Sequence, residues 1–187
     1  LDPDALGFIQ FSSGTTQRPK PVALTHRQIL ANASAIAGAI LDAYPETDGL
    51  RHVAASWLPL YHDMGLVGGL FTSLLHGRDL ALIPPELFVV RPALWLRAIS
   101  RHRATISPAP NFAYALCVDR VPDRELEGVD LSSWRVAMNG AEPVAPRTLD
   151  RFVERFAAYG LRPEALTPVY GLSEATLAVT FSRLDER

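Results

Sequence analysis

A chain of 187 residues is long enough to bury a substantial core within one domain, and 48% hydrophobic with 20% charged residues is a globular balance rather than a disordered or fibrous one. A formal net charge of -2 gives no sign of the clustered positive charge that nucleic acid or an anionic membrane surface attracts; charge is silent about partners, and no nucleic acid is expected. The single cysteine, Cys117, excludes an internal disulfide, and its neighbours Tyr114-Ala115-Leu116 point to a buried thiol.

The chain opens on Leu1 rather than Met, just before a strand-like run, which reads as a segment cut from something longer. With no basic-then-apolar leader and no apolar run of about 20 residues, a signal peptide and a membrane span are not expected, and the cytoplasm is the default compartment. Phe8 to Ser12 alternates as a strand, and after a Ser/Gly/Thr-rich loop Val22-Ala23-Leu24 reads as its hairpin partner. Thr25 and Gln28 have capping-box spacing, which predicts a helix from His26 to Tyr44, stopped by Pro45.

Beyond this point strands and helices alternate. Strands are expected at His52 to Trp57, Asp79 to Ile83, Ala104 to Ser107, Arg135 to Asn139, Thr167 to Tyr170 and Leu177 to Phe181. Helices fit Met64 to His76 closed by Gly77, Arg91 to His102, Asn111 to Arg120, and Pro146 to Tyr159 closed by Gly160. That order implies an α/β fold: a mainly parallel sheet flanked by helices. Ligands of such sheets bind beyond the carboxyl ends of the strands. Four unusual segments, Ser12 to Lys20, Leu58 to Gly65, Asn139 to Pro143 and Gly171 to Thr176, all follow strands and are candidates to converge there.

The first of them, Ser12-Ser13-Gly14-Thr15-Thr16 with Lys20, concentrates hydroxyls, backbone donors and a cation that suit phosphate oxygens. It is not a Walker A loop, because Pro19 stands where the second glycine is required, and a polar hairpin turn is the plainer alternative. Tyr170-Gly171-Leu172-Ser173-Glu174-Ala175-Thr176 places an aromatic face, a hydroxyl and a carboxylate at a strand end, the last suited to magnesium. The same segment nearly matches a hydrolase nucleophile elbow, but no histidine follows Ser173 and Ala175 replaces the last glycine. Asp63 lies where a helix N-cap belongs, while His62 suits either a polar core or a substrate entrance. Asn139-Gly140-Ala141-Glu142-Pro143 is either a tight turn or a place where a flat ring approaches the backbone.

Together and in this order, these segments resemble the adenylate-forming superfamily of acyl-CoA synthetases, luciferases and adenylation domains. "WLPLYHDMGL", "NFAYALC", "DLSSWRVAMNGAEPV" and "YGLSEATL" are most similar to fatty acyl-AMP ligases. The resemblance implies ATP and Mg2+ as cofactors, a fatty or related carboxylic acid as substrate, and an acyl carrier protein or coenzyme A as acceptor. It assigns Ser12, Ser13, Gly14, Thr15, Thr16 and Lys20 to the ATP phosphates, and Gly140, Ala141, Glu142 and Pro143 to the adenine border. It implies that Tyr170 stacks on adenine, Ser173 touches the α-phosphate and Glu174 holds the metal, with Gly171 and Thr176 in the same nucleotide-binding segment. Lys20, His62 and Glu174 are the implied catalytic residues, with Gly65 and Val67 to Leu74 near the acyl pocket.

The chain departs from the family pattern at Gln17 and Pro21, where relatives usually carry glycine. The ribose-binding acid, the arginine after it and the C-terminal domain with its lysine have no counterpart before Arg187. Residues 1–187 are therefore expected to be one α/β subdomain of a longer adenylating enzyme, inactive in isolation. The alternatives are a non-catalytic adenylate-binding module and an acyl-CoA synthetase.

Overall fold

The computed structural model describes residues 2–12, 19–47, 51–182 and 184. Ser13, Gly14, Thr15, Thr16 and Gln17, four of them expected phosphate contacts, lie outside the described residues. The flanking strands β1 (Leu6–Ser12) and β2 (Lys20–Thr25) pair antiparallel, with Ser12 opposite Lys20. The expected hairpin is thus present, as a two-stranded sheet of its own.

Helix α1 (His26–Ala43) begins at the predicted capping box: the Thr25 hydroxyl accepts from Gln28 N, and the Gln28 side chain accepts from Thr25 N at 2.8 Å. The N–H groups of Thr25 and Gln28 are thereby satisfied. At the other end the Tyr44 N–H caps the helix on the Ile40 carbonyl. Buried His52 reaches back to the same corner, its Nε2 lying 2.7 Å from the Tyr44 carbonyl and its Nδ1 2.9 Å from Thr105 Oγ1.

The main sheet has six strands in the order β4-β3-β5-β6-β7-β8. Strands β3 (Ala54–Ser56), β4 (Leu80–Leu82), β5 (Ile106–Ala109), β6 (Val136–Asn139) and β7 (Leu166–Gly171) are parallel. Strand β8 (Ala178–Phe181) is antiparallel to β7, because only a short turn connects the two and a parallel return needs a crossover.

Side chains alternate across the sheet, and the two faces hold different cores. Ala55, Ala109 and Ala137 face α4 (Ala93–His102), α5 (Asn111–Arg120) and α6 (Pro146–Phe156). Small strand residues there leave room for large rings: Trp95, Tyr114, Trp134, Phe152 and Phe156 are all fully buried. Each such ring contributes about 1.5–3 kcal/mol relative to exposure. Their polar handles are satisfied, Trp95 Nε1 donating to Ser107 Oγ at 2.7 Å and the Tyr114 hydroxyl to the Met138 carbonyl at 2.8 Å. Cys117 lies in this core with its thiol pushed up by burial, as expected for a packing residue. On the other face Ile106, Val136 and Met138 pack against Ile36 and Ile40 of α1.

Two elements depart from expectation. The segment predicted as one helix from Met64 is a π-helix over Met64–Phe71, followed by the short α2 (Thr72–Leu75). Thr72 Oγ1 donates to the Val67 carbonyl at 2.8 Å, a five-residue spacing that matches the wider π turn. Helix α3 (Pro85–Val90), absent from the sequence reading, starts on a Pro at N1 and is held by Phe88, which stacks on Trp57 at 3.9 Å.

Candidate active site

The segments that follow the strands meet at one end of the α1 face, around a cavity of about 540 Å³. Pro19, His62, Ala141, Tyr170 and Glu174 line its mouth from four separate loops. Its depth runs between the sheet and α1, along Ile40, Ala54, Ile106, Met138 and Leu177. A concave, mainly apolar volume with a few convergent polar groups is the usual form of a small-molecule site.

The centre of the polar end is a contact between distant segments. Ser173 Oγ donates to Asp63 Oδ2 at 2.7 Å, and Asp63 Oδ1 lies 2.9 Å from His62 Nδ1 and accepts from Met64 N at 2.7 Å. Burial pushes the Asp63 carboxyl up, but hydrogen bonds from His62 and Ser173, with the His62 charge and Met64 N–H, outweigh it and hold the group below its ordinary range. The hydrogen bond to Asp63 raises the His62 imidazole, against a smaller opposing effect of burial. Asp63 is therefore more than a helix cap. Its own backbone is helical (φ -54, ψ -41), and its carboxylate ties together two loops of the site.

Glu174 projects from the short 3-10 turn Ser173–Ala175; it is exposed and engaged in no hydrogen bond or ion pair among the described residues. Tyr170 is 61% exposed, which leaves a ring face available to a planar ligand. Lys20 is exposed at the start of β2, opposite Ser12. Among the described residues no group of three His, Cys, Asp or Glu is placed to enclose a metal ion.

Other residues expected at the site stand behind it. A β-carbon on Gly171 would collide with the Leu177 carbonyl, and one on Gly140 would lie 2.8 Å from the Val169 carbonyl. Both glycines permit close backbone packing. Thr176 is buried at φ 75, a strained turn residue outside the cavity wall. Gly140, Glu142 and Pro143 also lie outside that wall, and Glu142 accepts from Phe112 N, which fastens the Asn139 to Pro143 loop to the start of α5. Asn111 helps: its Oδ1 accepts from Asn139 Nδ2 at 3.2 Å and from Ala145 N at 3.1 Å.

Along the segment after β3, Gly65 packs under the Pro59 carbonyl and Val67 is fully buried, and neither lines the cavity. Within the Val67 to Leu74 stretch, Gly68, Gly69, Thr72 and Ser73 line the cavity. Two lining residues had no signal in the sequence: Gln10, whose Oε1 is buried and unpartnered among the described residues, and Arg78, whose Nε is likewise buried and unpartnered.

Comparison with known proteins places this geometry in a family. The chain is 41% identical over 187 residues to a medium-chain-fatty-acid–[acyl-carrier-protein] ligase, JamA, of Moorena producens, covering 100% of this chain and 31% of that protein. It is 40% identical over 172 residues to a 4-hydroxyphenylalkanoate adenylyltransferase of Mycobacterium marinum, covering 92% of this chain and 27% of that protein. Among solved structures, a fatty acyl-adenylate ligase from L. pneumophila in complex with acyl adenylate and pyrophosphate superposes with a TM-score of 0.86 at 41% identity. That match covers 96% of this chain and 31% of the other. The chain thus spans less than a third of the length of these relatives. The model of the AMP-binding enzyme family matches residues 1–187, and the chain belongs to that family.

Proposed function

We propose that the full-length protein carrying this chain is a fatty acyl-AMP ligase. The substrate carboxylate attacks the α-phosphorus of ATP, the bond to the β,γ-diphosphate breaks, and acyl-adenylate and pyrophosphate result. The acyl group then passes to a thiol, with AMP as leaving group. An acyl carrier protein is the favoured acceptor and coenzyme A the alternative, because the JamA relative is by name a carrier-protein ligase.

The observation that carries this reading is the form of the cavity: an apolar depth that suits an acyl chain opens at a mouth bearing Tyr170, Glu174 and His62. Tyr170 would stack on adenine, bordered by the Gly140 to Pro143 loop. Lys20 and the Ser12 to Thr16 loop would take the phosphates, and Ser173 the α-phosphate. Glu174 suits Mg2+ because its carboxylate is uncommitted, and magnesium is commonly held by one or two carboxylates together with substrate phosphates. The side chains mainly align groups and neutralise charge. His62, hydrogen-bonded to Asp63, stands where it can face the reacting carboxylate.

Acid-dependent ATP–pyrophosphate exchange by the full-length protein, over a series of unbranched acids, tests the reading. Exchange with at least one fatty acid is expected. Its absence with every acid would leave a non-catalytic adenylate-binding module.

A further inference from the structure

Arg78 brings a cation to the cavity wall beside Ser73, whose carbonyl accepts from Arg78 N. It precedes β4, whose first residue, Leu80, pairs with the first residue of β3, Ala54. It therefore lies at the amino-terminal edge of the parallel sheet, whereas His62, Ala141 and Gly171 lie at or beyond the carboxyl ends of their strands. The three strand steps from Val136 to Asn139 in β6 measure about 10 Å of the interval between these edges. Ile40, Ala54 and Ile106 line the cavity near the Arg78 edge.

The side chain of Arg78 is only 10% exposed, and it lines the cavity. Its Nη2 lies 3.5 Å from Glu46 Oε1, an oxygen that also accepts from His52 N at 3.0 Å. Its Nε is buried with no hydrogen-bond partner among the described residues. Buried donors are normally satisfied, so this one is available to a ligand that fills the cavity. Glu46 already offsets the positive charge, which favours a neutral acceptor over a second carboxylate.

We propose that Arg78 is a specificity-determining residue: the acid activated here carries a hydroxyl or carbonyl oxygen near its far end, and that oxygen accepts from the Arg78 guanidinium. The inference rests on the acid-activation reading and names its substrate class. A plain alkyl chain would fill the same volume but leave the donor unmet, and sites built around a hydrogen bond reject the analogue that lacks it.

The test compares octanoic, decanoic and dodecanoic acids with their terminal hydroxy and oxo derivatives and the corresponding diacids. Exchange is measured with the full-length wild-type protein and with Arg78→Met and Arg78→Gln. For at least one length the hydroxy or oxo acid is expected to exceed the plain acid by about tenfold in kcat/KM, the scale of one hydrogen bond to a charged donor. The diacid should not share that advantage. Arg78→Met should erase the preference while retaining activity on the plain acid. If wild type uses plain acids as well as their oxygenated counterparts, or if Arg78→Met keeps the preference, the proposal is overturned. The wild-type series decides alone if neither variant folds. A failure of every acid refutes the adenylation reading itself, which separates the two outcomes.

Discussion

Ser173 and Asp63, 110 residues apart in the chain, share a buried hydrogen bond of 2.7 Å. It joins the loop after β3 to the turn after β7, so the imidazole of His62 and the carboxylate of Glu174 stand on loops held by one contact.

Asp63→Ala removes the acceptor for Ser173 Oγ, the shorter of the two acceptors of Met64 N, and the carboxylate beside His62. Stability of the full-length protein is expected to fall by about 1.5–3 kcal/mol, the range for buried hydrogen bonds to a charged group. Exchange activity should fall with it, whereas Asp63→Asn should recover part of the stability. Urea denaturation of both variants checks this, and equal stability of wild type and Asp63→Ala would refute it.

The His62 and Asp63 pair also makes a pH prediction. His62 is raised from its ordinary 6.5, so its stabilisation is fully present below that pH and lost as pH rises through the folded value. Asp63 is lowered from 3.8, so its stabilisation is present above that pH and lost as pH falls through the folded value. The pair therefore contributes fully between about pH 4 and pH 6.5. An NMR titration should place the His62 transition above that of a free imidazole in wild type and lower in Asp63→Asn. An unshifted His62 in both proteins would disprove the coupling.

Gly171→Ala tests the close approach of β7 to the following turn. The added β-carbon meets the Leu177 carbonyl, which already accepts from Leu172 N at 2.8 Å. Backbone must shift, at an expected cost of about 1–3 kcal/mol. Thermal unfolding of the full-length variant should show a lower midpoint, and exchange should weaken because Ser173 and Glu174 move with the turn. A variant as stable as wild type would show that the turn relaxes freely.

Glu174→Gln keeps the size of an exposed side chain and removes its charge. The fold should be unaffected, since surface substitutions of this kind usually stay within about 0.5 kcal/mol. Exchange is expected to fall by about a hundredfold or more, the scale of losing one preorganised electrostatic group. Normal unfolding with unchanged exchange would remove Glu174 from the metal role.

Local patterns in the sequence carried much of this structure. Thr25 and Gln28 marked the start of α1 because a capping box is made within four residues, and the alternation of short apolar runs with helical ones implied the parallel sheet. The π-helix was not legible: Met64 to Phe71 has an apolar pattern that suits an ordinary helix, and the residue pattern does not distinguish a five-residue backbone spacing from a four-residue one. Helix α3 is only six residues long, too short for periodicity to declare, and its Phe88 is held by Trp57 from another segment.

By itself the sequence determined that the chemistry-bearing segments sit after strands, because strand order and loop composition are properties of consecutive residues. Which side chains touch was decided only by tertiary structure. Asp63 looked like a helix cap until the fold placed Ser173 against it, and Arg78 gave no signal until the fold set it in the cavity wall beside Glu46. Burial and long-range contact depend on the packing of distant segments, so neither can be read from the neighbours of a residue along the chain.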